Sequence, residues 1–118
     1  MKILVVDDDP IVLQSCKRVL EAEGVMSRTA TTVAEAESLL AEEAFELMVT
    51  DINMPGKNGF AMIETAKAIK PEMPILVMTG YLTPGTVEKC LRLGAGRHIA
   101  KPFTPAELVA AIKKTQRP

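Results

Sequence analysis

Five acids and bases stand at places where they could do chemistry together. Asp7, Asp8 and Asp9 follow the apolar run Ile3–Val6 without a spacer. Asp51 follows Leu47–Thr50 in "VTDINMPG", and Lys101 follows Arg97–Ala100 in "HIAKPF". A hydroxyl and a glycine, Thr79 and Gly80, follow Pro74–Met78 in "LVMTGY". Crowded carboxylates repel: two charges ~4 Å apart cost about 4 kcal/mol at an effective dielectric near 20. A chain that keeps three in a row needs something to offset that repulsion. Carboxylates, a hydroxyl and an ammonium are groups for charge compensation and nucleophilic chemistry, provided they meet in space.

The elements that must bring them together can be read from the periodicity. The apolar runs are strand-like, and Met26–Ala30 is a weaker fifth. Between them lie helical patterns. The first places Val12, Cys16, Val19 and Leu20 on one face, with Asp9 as N-cap, Pro10 in the first turn and Gly24 as the stop. The second opens on Thr32 and Glu35 at capping-box spacing. The third carries Met62, Ile63, Ala66 and Ile69 and stops before Pro71. The fourth runs from Thr83-Pro84 to Gly94. The fifth opens on Thr104, Pro105 and Glu107 and turns Leu108, Ala111 and Ile112 inward. Strands alternating with helices make an α/β fold with a parallel sheet. Runs apolar on both faces belong in its centre, covered by helices on both sides. Ligands of such sheets sit beyond the carboxyl ends of the strands. The residues named above all lie on that rim.

An acidic pair after strand one, an aspartate after strand three, Ser/Thr after strand four and Lys-Pro after strand five resemble the receiver domain of two-component response regulators. The resemblance runs from Ile3 to about Lys114, within a single domain spanning residues 1–118. It implies a flavodoxin-like, doubly wound five-stranded parallel sheet in the order 2-1-3-4-5 with five helices; that order is also the general description of the chemotaxis receiver. It makes Asp51 the phosphoacceptor. It gives Mg²⁺ to Asp7, Asp8, Asp51 and the backbone carbonyl of Asn53, with Asp7 acting through water. Lys101 would neutralise a phosphoryl oxygen, and the Thr79 hydroxyl and a backbone N–H near Gly80 would donate to the others. Mg²⁺ suits such oxygen-only ligands. The resemblance also implies a cis Lys101-Pro102 bond, a histidine kinase or phosphotransfer protein as donor, and self-modification in place of turnover of an external substrate. The output face would comprise helix four, strand five and helix five, open to a homodimer when phosphorylated.

The sequence departs from that family in places. His98 stands where Tyr or Phe is usual, as a candidate switch residue with Thr79. Lys57-Asn58 replaces a commoner Met-Asp, and Tyr81 would shield an acyl phosphate from water. Other readings compete. Asp7-x-Asp9 matches the start of the haloacid-dehalogenase phosphatase motif, but Pro10 follows and no late acidic pair is present. A pseudo-receiver that only binds partners is the other alternative. Asp9, before Pro10, suits a helix cap better than a metal role. Asn58-Gly59 reads as a turn, and Met48, Met62 and Met78 as core fill.

Composition narrows the classes. The chain has 118 residues, 47% apolar and 25% charged, with net charge −1. That balance suits one globular domain and gives no electrostatic reason for nucleic-acid or membrane binding. Cys16 and Cys90 are far apart in no metal spacing and read as buried helix residues. No apolar run reaches a membrane span, and the N-terminus is unlike a signal peptide. A cytoplasmic location is the expectation.

Overall fold

A computed structural model describes residues 1–52, 60–80 and 83–116. The elements alternate as β1 (Lys2–Val6), α1 (Pro10–Ala22), β2 (Met26–Ala30), α2 (Val33–Glu42), β3 (Leu47–Asp51), α3 (Phe60–Ile69), β4 (Ile75–Thr79), α4 (Pro84–Leu93), β5 (Arg97–Ala100) and α5 (Pro105–Gln116). All strand pairs are parallel, in the order β2-β1-β3-β4-β5. This is the flavodoxin-like arrangement, with β3 at its centre between β1 and β4.

Two apolar layers sandwich the sheet, because the side chains of a strand alternate between faces. Leu4, Val6, Met48, Ile75 and Val77 pack with Val33, Leu40, Met62 and Ile63 of α2 and α3. Ile3, Val5, Leu47, Val49, Leu76 and Met78 pack with Leu13, Cys16, Leu108 and Ile112 of α1 and α5. Met48, Met62 and Met78 are wholly buried. Cys16 and Cys90 are buried and free. Ala111, expected inside, is half-buried at the margin of the second layer.

The helix starts follow their caps. Asp9 accepts from the Ile11 N–H at 2.9 Å, and Thr32 from the Glu35 N–H at 3.1 Å. Thr83 accepts from the Thr86 N–H at 3.2 Å. Thr104 and Glu107 form a reciprocal capping box: the Glu107 N–H donates to Thr104 Oγ1 at 3.1 Å, and the Thr104 N–H to Glu107 Oε1 at 3.0 Å. α4 ends at Gly94 in the left-handed region, φ +106°. β3 and β4 each run one residue beyond the apolar pattern. Asp51 still pairs with Met78, and Thr79 with Ala100.

Candidate active site

The carboxyl ends of β1, β3, β4 and β5 deliver the predicted residues to one rim. Asp7 leaves β1 wholly buried. Its backbone N–H donates to the Ala30 carbonyl at 3.1 Å, and its Oδ1 accepts from the Asp9 N–H at 2.9 Å. Asp51, 4% exposed, ends β3. Asp8 is exposed beside them. One carboxylate oxygen from each of Asp7, Asp8 and Asp51 lies within 4.8 Å of the others. Asp9 is turned away into its capping bond, so the triplet divides into two cup residues and one helix cap.

Lys101 joins the cup from β5. Its Nζ lies 2.7 Å from Asp7 Oδ2 and 3.1 Å from Asp51 Oδ2. Its backbone N–H donates to the Thr79 carbonyl at 2.9 Å, tying the ends of β4 and β5 together. The Lys101-Pro102 bond is cis. Thr79 is buried at the end of β4. Gly80, next along, faces open space: a Cβ there would meet nothing within 4 Å. Its backbone is therefore open to an incoming group.

The electrostatics follow from burial. Desolvation pushes the Asp7 carboxyl above its usual value, and the hydrogen bonds from Lys101 and Asp9 only partly oppose this. Burial pulls the Lys101 ammonium down, but Asp7 and Asp51 outweigh it, and its net shift is upward. Lys101 is therefore a fixed cation between two carboxylates. Beneath the cup, burial and the Asp7 charge push the Cys16 thiol up to about 11, so it stays protonated. Among the described residues, the cup offers three carboxylates and no histidine or cysteine ligand, which fits a hard divalent cation.

One predicted residue, His98, stands apart from the cup. It is exposed on β5, paired with Val77, two register steps before the Thr79–Ala100 pair at the rim. Asn53, Lys57-Asn58, Asn58-Gly59 and Tyr81 lie outside the described residues. Two other features were not foreseen. Ile11, at the start of α1, is 74% exposed. It lines a shallow pocket of about 370 Å³ with Val12, Ser15, Lys101, Pro102 and Phe103, beside the cup. Thr50 is a wholly buried hydroxyl in an otherwise apolar stretch of β3, next to Asp51. Its sequence signal is a polar residue where a central strand calls for valine.

Among the described residues, no helix is long and apolar enough to cross a membrane. The chain is 36% identical to the response regulator SaeR of Staphylococcus aureus over 110 residues, 93% of this chain and 48% of SaeR. It thus spans about half the length of the curated relatives it matches. A CheY-like response regulator receiver domain protein from Methanospirillum hungatei superposes with a TM-score of 0.92 at 35% identity, covering 98% of this chain and 92% of that one. A response regulator protein from Burkholderia pseudomallei, solved with a phosphorylated aspartic acid, calcium ion and citrate, gives 0.88 at 31% identity over 93% of this chain and 65% of that one. The model of the response regulator receiver domain matches residues 3–113, with the acidic cup and Lys101 inside that span. By sequence, topology and site, the chain belongs to the response regulator receiver domain family of two-component systems.

Proposed function

We propose that the chain is a phospho-accepting switch, taking a phosphoryl group from a histidine kinase or phosphotransfer protein onto Asp51. The observation that carries this reading is the bridge of Lys101 to both Asp7 and Asp51, at 2.7 and 3.1 Å, over a three-carboxylate cup. A structural ion pair needs one carboxylate, and three at one cation leave an excess of negative charge. Asp7, Asp8 and Asp51 would hold Mg²⁺, with the Asn53 carbonyl as a further ligand. When bound, Mg²⁺ supplies the charge neutralisation that lets a carboxylate and a phosphoryl group approach. A carboxylate oxygen of Asp51 forms the new O–P bond while the bond from phosphorus to the donor nitrogen breaks, and the electron pair leaves with the donor. Little covalent chemistry is asked of the protein; positioning and charge stabilisation dominate. Lys101 then neutralises a phosphoryl oxygen, and the Thr79 hydroxyl and the Gly80 N–H donate to the others.

The same residues carry the signal outward. The Lys101 N–H to Thr79 carbonyl bond lets a change at the phosphoryl group reach β5. The response falls on the α4-β5-α5 face, where His98 and Leu91 are exposed. That face would meet an output segment, a partner or a second copy of the chain. This is a population shift between two states of one surface. The 118 residues act as one receiver unit in the cytoplasm, and modification of Asp51 and its hydrolysis replace turnover of an external substrate. The donor must reach the rim, and the exposed Ile11 beside Pro102 and Phe103 gives it an apolar ledge next to the cup. The phosphorylated aspartic acid of the Burkholderia relative supports the reading.

Incubation with acetyl phosphate and Mg²⁺, followed by intact mass spectrometry, tests it. One phosphoryl group is expected on the wild type and none on Asp51→Asn. A wild type that stays unlabelled refutes the proposal and favours a module that only binds partners.

A further inference from the structure

Thr50 is at odds with its surroundings. It is wholly buried, and the register sets it between Val6 of β1 and Val77 of β4, both also wholly buried. Those valines belong to the layer beneath α2 and α3. A valine would fill nearly the same space without a hydroxyl to satisfy. The Thr50 hydroxyl does find a partner: Oγ1 donates to the backbone carbonyl of Asp51 at 3.0 Å.

The place of that carbonyl gives the bond its meaning. The β1–β3 ladder closes on the pair Val6 and Thr50. The next N–H after Val6, from Asp7, faces β2 and donates to Ala30. The peptide after Asp51 therefore begins where regular pairing with β1 stops. Thr50 supplies a donor to it from one side. On the other side Ile52, 5% exposed, is anchored in the same apolar layer.

We propose that Thr50 is a positioning residue for phosphoryl transfer to Asp51, its hydroxyl fixing the Asp51–Ile52 peptide so that the carboxylate stands in line for attack. The inference rests on the phosphoacceptor reading above. In-line attack tolerates little error, since a displacement of ~1 Å can cost about 100-fold in rate. Without the hydroxyl the Asp51–Ile52 peptide loses one of its restraints, and the position of the Asp51 carboxylate is less closely set.

The test measures phosphorylation by acetyl phosphate with Mg²⁺ in wild type, Thr50→Val and Thr50→Ser, with the folded fraction of each followed by circular dichroism. Thr50→Val should lower the rate at saturating acetyl phosphate about tenfold, with half-saturation little changed. Thr50→Ser keeps the hydroxyl and loses only a methyl group, so it should label at the wild-type rate per folded molecule. A purely structural role predicts the opposite, because serine leaves the larger void. Thr50→Val labelling as fast as wild type overturns the inference. So does Thr50→Ser labelling as slowly as Thr50→Val. Should Thr50→Val not fold, the serine variant alone decides, by its rate against wild type. A wild type that takes no label overturns this inference and the phosphoacceptor reading together, whereas a labelled wild type with an equally labelled valine variant overturns this one only.

Discussion

Replacing Lys101 with methionine keeps most of the side-chain volume and removes its charge. The Lys101 side chain is about three-quarters buried, and its partners Asp7 and Asp51 are almost wholly so. Without it, two buried carboxylates face each other with oxygen atoms within 4.8 Å. At an effective dielectric near 20, two unit charges at that distance repel by roughly 3.5 kcal/mol. Breaking a buried pair by removing one partner costs about 3–5 kcal/mol, which agrees. We therefore expect metal-free Lys101→Met to lose about 3 kcal/mol of stability, a fall in melting temperature of roughly 10 °C for a domain of this size.

The pH dependence distinguishes this cause from lost packing. Burial already holds the Asp7 carboxyl above its usual value. A carboxyl whose folded pKa exceeds its unfolded one binds more protons when folded, so stability falls as pH rises through that interval. Removing Lys101 removes the larger of the groups that oppose the shift and leaves only the Asp9 N–H, so the fall should steepen. Lys101 has the complementary sign. Its pKa is raised in the folded state, so its contribution is complete below its unfolded value of 10.5 and is lost only in strongly alkaline solution, as pH passes the folded value. Urea unfolding between about pH 5 and pH 8, with and without Mg²⁺, is the assay. Lys101→Met should recover stability relative to wild type towards the acid end, and should gain more from Mg²⁺. A loss below about 0.5 kcal/mol, the range of an ordinary surface substitution, would refute the reasoning, as would a pH slope parallel to wild type.

Three further predictions separate neighbouring roles. Asp9→Ala should cost about 1 kcal/mol through the lost cap of α1, with phosphorylation by acetyl phosphate unchanged, while Asp8→Asn should weaken Mg²⁺ binding without loss of stability; unfolding curves and metal titrations of both variants check this. Ile11→Asp should slow transfer from a protein phosphodonor about tenfold, the effect of ~1.4 kcal/mol at an interface, and leave labelling by acetyl phosphate at the wild-type rate; equal slowing of both would place Ile11 in the chemistry instead of the docking. Gly94→Ala should destabilise by about 1–2 kcal/mol, because φ is +106°, and its Cβ would also press on Lys67 at 3.0 Å; a thermal-melt cycle with Lys67→Ala should show less than additive loss.

Much of this was legible in the sequence because the central strands are apolar on both faces. The runs of β1, β3 and β4 carry their own signal, and the capping residues Asp9, Thr32, Thr83 and Thr104 mark the helix starts. The edges were harder. β2 buries only Ala30, and β5 only Ile99, because an edge strand has fewer neighbours to cover it. The strand ends also moved: Asp51 and Thr79 close β3 and β4 because Met78 and Ala100 still lie opposite them, and a partner strand's register is not local information. Position on the rim could be read for each candidate, but the pairing of Lys101 with Asp7 as well as Asp51 depends on where three side chains converge. The exposure of Ile11 and the buried bond of Thr50 are of the same kind, since both are set by tertiary packing.

The acidic triplet shows how one charge pattern serves two purposes. Three like charges in a row would be costly if they shared one environment. The end of β1 and the start of α1 prevent that. Asp9 is held by the Ile11 N–H at the positive end of α1, where a helix favours an anion. The Asp7 side chain accepts from the Asp9 N–H, so the same turn that points Asp9 towards the helix points Asp7 into the cup. Asp8, exposed between them, is screened by solvent. Burial raises the Asp7 carboxyl above its usual value, and the Lys101 ammonium and the Asp9 N–H oppose that pull in part. The strain of the triplet is thus concentrated on the one carboxylate that the ammonium touches. A cation entering the cup would relieve Asp7 first and change its contact with Lys101, whose backbone is already bonded to Thr79. Lys101 is thus the residue through which a cation in the cup would reach the ends of β4 and β5.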